Sequence, residues 1–248
     1  MRKMNNYLIM FFILFLLKQP FLQADEWQGM KLPETAHYSI SYFGVKAGNS
    51  SIKIEKIDYK GREAIKITAK VKTTKLFSMF YRVDDVMESI VDAKTLKPLE
   101  HNVDYEEGSY RRKTKYKFDY EKNECISGEG NVKINDNILD PLGALVFIRI
   151  MDLEKNKSIK RQICDGRGVQ TVEANVKKKK KIATIWGWEQ AYIVKPVLKD
   201  VDMKGVTKVK EKVTLYFLEK RSSLPYLVTG KLVIGSLVAR LRKLEKGD

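Results

Sequence analysis

Beyond Tyr38, apolar and polar residues alternate along most of the chain. Ile65, Ile67, Ala69 and Val71 fall on one face of an extended segment, with Lys66, Thr68, Lys70 and Lys72 on the other. A period of two is what a strand with one packed and one solvated face requires. Tyr116, Phe118 and Tyr120 repeat it against Lys115, Lys117 and Asp119, and Tyr38, Ile40 and Tyr42 do so near the start. Further strands are predicted at 51–57, 86–91, 169–176, 190–195, 212–218, 226–232 and 236–241. Glycine-bearing turns separate them, among them Lys60-Gly61, Glu107-Gly108, Ser127-Gly128-Glu129-Gly130 and Asp165-Gly166-Arg167-Gly168. Strands joined by short turns are antiparallel neighbours. The pattern therefore predicts a mainly β domain, built as a curved antiparallel sheet or an open β-barrel or sandwich.

One segment departs from this period. Asp140 reads as an N-cap, Pro141 as the first helical residue, and Leu142, Leu145, Val146, Arg149 and Ile150 follow at helical spacing, which predicts a helix over 141–151. Its apolar residues wrap beyond one stripe, so it is expected to plug the concave side of the sheet. The cluster from Thr74 to Tyr81 has no clean period and suits a helical turn or a bulged strand.

The first residues carry a different signal. Arg2 and Lys3 precede an unbroken apolar run from Tyr7 to Leu17, then Lys18 and Pro20, and Leu22-Gln23-Ala24 sets a small residue before Asp25. Charged, apolar and polar regions in that order describe a secretory signal peptide over residues 1–24, with 25–248 as one exported β-rich domain of the periplasm or envelope. The run is about half the roughly 20 residues a spanning helix needs, so no transmembrane span is expected in the mature chain.

Charge then narrows the partners. The formal charge is +16, and because the leader holds three of the 47 basic residues and none of the 31 acidic ones, the remainder carries +13. Outside the cytoplasm the polyanions it would meet are anionic lipid, lipopolysaccharide and acidic glycan rather than nucleic acid. Lys177, Lys178, Lys179, Lys180 and Lys181 run together just before Trp186-Gly187-Trp188. Lysines beside amphipathic indoles suit an anionic surface. The plainer alternative is a lysine-rich hairpin whose Trp pair turns into the core around Gly187.

Catalytic chemistry is sparse. His37 and His101 have no partner at metal-ligand spacing, no nucleophile elbow is present, and no cofactor motif stands. Each histidine is expected as a surface or strand-facing residue. Asp84-Asp85-Glu88 and Glu106-Glu107 read as solvated edges and turn caps, which leaves a hydrolase acting on envelope polymers as the weakest reading. Cys125 and Cys164 are either a disulfide, which an exporting compartment permits, or two separate buried thiols.

Order and spacing add a resemblance. The pieces that carry it are Gly44-Val45-Lys46-Ala47-Gly48, Asp85-Val86-Met87-Glu88-Ser89, Asp92 to Pro98, Asp140-Pro141-Leu142 leading to Phe147-Ile148-Arg149, Asp165-Gly166, Gly187, Lys195-Pro196, Leu224-Pro225-Tyr226, Gly235 and Leu241. With these the chain resembles a family of exported bacterial proteins defined only as a domain of unknown function. It departs from that family where a Trp-Leu pair and an Asp precede the last proline; Tyr216-Phe217-Leu218 and Glu219-Lys220-Arg221 stand there instead. The resemblance implies a curved β-sheet fold of the envelope, similar in shape to lipoprotein carriers, and no reaction. The expectation is a non-enzymatic envelope protein holding an amphiphile or anionic polymer in its concavity, or alternatively an assembly partner docking on an envelope protein.

Overall fold

The computed structural model describes residues 31–199, 213–221, 224–231 and 235–247. The expected leader, its cleavage point, and the ends of two expected strands at Lys212 and Leu232 lie outside the described residues. The elements run β1 (Glu34–Tyr42), β2 (Val45–Tyr59), β3 (Arg62–Thr73), α1 (Lys75–Ser78), β4 (Asp84–Asp92), β5 (Pro98–Glu107), β6 (Tyr110–Asp119), β7 (Glu124–Ser127) and β8 (Gly130–Lys133). Then come β9 (Ile138–Leu139), α2 (Pro141–Ile150), β10 (Ser158–Cys164), β11 (Val169–Thr184), β12 (Gly187–Lys199), β13 (Thr214–Leu218), β14 (Leu227–Lys231) and β15 (Ser236–Lys246).

The fifteen strands of the described residues form one sheet, ordered β8-β7-β6-β5-β4-β3-β2-β1-β15-β14-β13-β12-β11-β10-β9. Neighbours are antiparallel except β9 and β10. The first and last strands pair in the middle, Tyr42 opposite Leu237 and Glu34 opposite Lys246. A twisted sheet of this width curls on itself. β8 and β9 remain its two edges and share no ladder, so the barrel is open.

Side chains close what the backbone leaves open. Val103, Tyr116, Phe118 and Cys125 from one end of the sheet pack in a single buried cluster with Ile138 and Cys164 from the other. The expected one-sided strands are present: Ile65, Ile67 and Ala69 are buried on β3 while Lys70 and Lys72 face water. The principal core gathers Ile54, Ile65, Ile67 and Val91 with Leu142, Val146 and Phe147 of α2 and Leu215, Phe217 and Leu241 of the later strands.

α2 is the expected plug. Asp140 caps it, its Oδ1 accepting from Leu142 N and Gly143 N at 2.9 Å each, and Pro141 opens the first turn. Arg149 near its other end forms a two-pronged ion pair with Glu34 on β1, Nη1 to Oε1 at 2.8 Å and Nη2 to Oε2 at 3.0 Å, inside the curl. The helix and core pack inside the curl, and beside Phe147 of α2 a cavity of about 510 Å³ remains, lined in part by Leu96, Ile138, Arg161 and Thr171.

Three expectations change. β11 does not stop at Val176 but continues to Thr184, through all five lysines. The strand signal vanished there because Lys177 to Lys181 are exposed throughout, and period two marks a strand only where one face packs. His101 is not at the surface; it is 2 % exposed on β5, a strand whose acidic sequence hides its inward positions. Asp85, read as a solvated edge, is buried and accepts Glu106 N at 2.9 Å.

Candidate functional site

Among the described residues, two regions gather chemistry suited to a site. The first is a polar cavity of about 440 Å³ between β5, β6 and the β10–β11 turn, lined in part by His101, Tyr105, Glu107, Tyr110, Arg112 and Arg167. Behind it lies a buried trio. Ser89 Oγ donates to Asp140 Oδ1 at 2.5 Å and lies 2.9 Å from His101 Nδ1. The serine has one proton and gives it to the carboxylate, so its oxygen accepts from His101 and the ring carries hydrogen on Nδ1. Burial holds the imidazole below its ordinary pKa, with Asp140 and Asp165 acting against the shift. The order of bonds places serine between histidine and aspartate, with Ser89 fully buried, so the trio fixes the N-terminus of α2 to β4 and β5 and presents no nucleophile.

The cations beside this cavity are already paired. Arg112 meets Glu129 with Nε at 3.1 Å and Nη2 at 2.5 Å, and the guanidinium holds that carboxyl down at about 2. Arg112 also donates to Tyr116 OH. Arg167 meets Asp165 at 2.7 Å. Glu107 is pushed above the usual carboxyl range by burial and by the neighbouring Asp85. An incoming anion would have to displace carboxylates from both arginines. Among the described residues no three His, Cys, Asp or Glu side chains converge as metal ligands.

The second region is the β11–β12 hairpin, where the sequence-singled residues lie. Thr184 pairs with Gly187 across a two-residue loop of Ile185 and Trp186, with Trp186 N donating to Thr184 Oγ1 at 3.0 Å and Gly187 at φ +99°. A positive φ at the closing residue is what glycine supplies cheaply. The Trp pair does not turn into the core: Trp188 is 68 % exposed, and Ile185 beside it 43 %. Trp186 is held at the surface by Arg221 over its ring at 4.2 Å and by Tyr226 at 6.2 Å.

The lysines divide. Lys179, at a bulge in the β11 register, bonds Glu219 at 2.6 Å and Glu154 at 3.1 Å and lies 4.9 Å over Tyr192. Lys177, Lys178, Lys180 and Lys181 pair with no carboxylate among the described residues, although all four are exposed. The structure thus brings Lys177 to Lys181, Trp186 and Trp188 onto one hairpin, with a fixed lysine at its middle and unpaired ones either side. At the opposite end of the strands the sequence's ambiguous segment forms α1, a single turn with no buried residue. Met79 and Phe80, just after it, are 79 % and 83 % exposed near the exposed Phe43 and Val45 of the β1–β2 turn.

Cys125 and Cys164, far apart in sequence, meet in the seam as buried thiols. Sequence reasoning missed Ser89, Glu34 and Arg149 as partners; an Asp-Pro helix start facing a strand serine offers no periodicity to read.

Residues 37–242 match a family model described as "Protein of unknown function (DUF3108)". Among solved structures, the chain is similar to a β-barrel-like protein with a domain of unknown function, DUF1849, from Brucella abortus. The TM-score is 0.59 at 10 % identity, covering 88 % of this chain and 99 % of that one. No curated protein matches the chain. No helix among the described residues is long and apolar enough to cross a membrane.

Proposed function

The chain belongs to the DUF3108 family, and from that premise we propose that it is an exported, non-enzymatic envelope protein that binds anionic surfaces through its β11–β12 hairpin. The observation that carries this is the company of exposed Trp188 and four exposed lysines that no carboxylate pairs with among the described residues. Cations held apart from acids are the groups a phosphate-bearing or carboxylate-bearing surface attracts, and exposed indoles sit at its boundary. The packed interior supports binding from outside the barrel over carriage within it.

Lipid head groups and acidic polymer share this chemistry, and the experiment separates them. The protein is sedimented with anionic or neutral vesicles across ionic strength, with and without soluble lipopolysaccharide or acidic polysaccharide as competitor. Each lysine near an anionic membrane is worth about 1 kcal/mol, so replacing Lys177 to Lys181 by Gln is expected to weaken vesicle binding by orders of magnitude and flatten its salt dependence. Competition by polymer at low concentration points to the polymer. No preference for anionic vesicles at low salt, together with no polymer binding, overturns the proposal.

A second reading, docking on an envelope protein, is favoured by the exposed Met79 and Phe80 beside α1. Replacing both with Ser leaves vesicle binding unchanged under the first reading and abolishes a stoichiometric crosslink to a protein partner under the second.

A further inference from the structure

The open sheet leaves one place where its two ends touch without a ladder. Cys125 sits on β7, opposite Phe118 of β6 and Val132 of β8. Cys164 is the last residue of β10, opposite Val169, just before the turn in which Gly166 N donates to its sulfur at 3.4 Å. They belong to the two different ends of the fifteen-stranded order, yet both lie in the buried cluster formed by Val103, Tyr116, Phe118 and Ile138. We propose that Cys125 and Cys164 form a dithiol site that takes a disulfide donor and, once oxidised, joins the two ends of the sheet covalently across the seam. This inference does not depend on what the β11–β12 hairpin binds.

The two sulfurs are unequal, which sets the order of events. A hydrogen bond from Cys125 holds Cys164 below the ordinary thiol range, helped by Gly166 N–H, while the same bond and burial push Cys125 up. Cys164 is therefore the thiolate that attacks, since the thiolate and not the thiol is the nucleophile. It bonds to one sulfur of the donor's disulfide and releases the other as a thiolate. Cys125 then gives up its proton and attacks Cys164 Sγ, which expels the second donor sulfur. Cys125 and Cys164 together lose two protons and two electrons, and the donor disulfide becomes a dithiol.

Both cysteines are nearly inaccessible in the folded chain, 1 % and 0 % exposed. Entry comes through the edge. β7 is tied to β6 by only the short stretch Lys117↔Ile126 to Asp119↔Glu124, and its outer neighbour β8 is a terminal strand. Such an edge hairpin opens locally far more often than the whole barrel.

The test uses the full mature chain in glutathione buffers from reducing to oxidising, quenched in acid, unfolded and alkylated. In oxidising buffer the chain is expected to take no label, and one linked peptide pair holding Cys125 and Cys164 should appear only without reductant. In reducing buffer it should take two labels. The oxidised chain should melt higher than the reduced one by roughly 8 to 16 °C, since the bridge closes a long loop. In Cys125→Ser a glutathione adduct should accumulate on Cys164, and in Cys164→Ser much less should form on Cys125. Two labels in oxidising buffer, or adducts on both cysteines of the wild type with no linked pair, overturn the proposal whether or not the variants fold.

Discussion

Ser89 Oγ donates to Asp140 Oδ1 at 2.5 Å across 51 positions of sequence, and neither side chain meets solvent. The same carboxylate oxygen accepts Leu142 N and Gly143 N, so one atom joins β4 to the first turn of the plug helix. Asp140 Oδ2 is buried with no hydrogen-bond partner among the described residues, which leaves the residue dependent on the bonds at Oδ1.

Ser89→Ala should therefore cost more than an ordinary hydrogen bond. It removes a donor from a buried carboxylate and the acceptor of His101 Nδ1–H at once, which is worth about 2–3 kcal/mol. Urea unfolding should show the midpoint falling with the slope unchanged. A shift no larger than that of an exposed substitution, within about 0.5 kcal/mol, would show that the trio does not anchor the helix.

Glu34 and Arg149 give a paired test. Their ion pair is buried between the first strand and the end of α2, at side-chain exposures of 0 % and 1 %. Arg149→Met leaves a carboxylate buried without its partner and should cost about 3–5 kcal/mol, whereas Glu34→Leu with Arg149→Met together should recover most of that. A double variant as unstable as the single one would mean the pair is needed beyond charge balance.

The period-two faces of β1, β3 and β6 were legible because each has one packed side, as Ile65, Ile67, Tyr116 and Phe118 show. The helix was legible from Asp140 and Pro141, whose roles are local. β5 was not, since its buried His101 and Val103 stand among Glu100, Asn102 and Asp104 and the contrast between faces is weak. The stretch of β11 from Lys177 to Lys181 was hidden because both its faces are wet. The meeting of Cys125 with Cys164, and of Glu34 with Arg149, depends on how a whole sheet curls, and no local spacing encodes that. The hairpin residues were found by composition; that Trp188 faces out and that Lys179 pairs with Glu154 and Glu219 required the fold.

Two groups should give stability opposing slopes within the acid range. Burial depresses His101 below its ordinary 6.5, so in the window beneath that value the unfolded chain binds a proton that the native ring does not, and stability drops as pH falls through it. Glu107 is raised above 4.5, so the native carboxyl keeps a proton the unfolded one has lost, and its contribution drains away as pH rises from 4.5 toward the folded value. Unfolding midpoints measured across pH should lose the acid slope in His101→Gln and the opposing slope in Glu107→Gln. An acid slope unchanged in His101→Gln would assign it to other carboxylates.

Gly166 carries the sharpest packing prediction. Its φ is +83°, and a Cβ built there would stand 2.0 Å from Cε1 of Tyr116. That ring has no room to retreat: it is fully buried, stacks on His101 at 6.0 Å, and its hydroxyl accepts from Arg112. Gly166→Ala thus meets both a left-handed backbone, worth about 1–2 kcal/mol, and an overpacked seam, worth about 1–3 kcal/mol more. Gly168→Ala, in the same turn but with nothing within 4 Å and no positive φ, should change stability by less than about 0.5 kcal/mol. Combining Gly166→Ala with Tyr116→Leu separates the two costs, because the smaller side chain relieves the clash and leaves the backbone term. The cycle should show favourable coupling between positions 166 and 116. Simple additivity would mean that the turn moves away from the ring, and that the seam beside Cys164 is looser than the packing of Tyr116 against Gly166 implies.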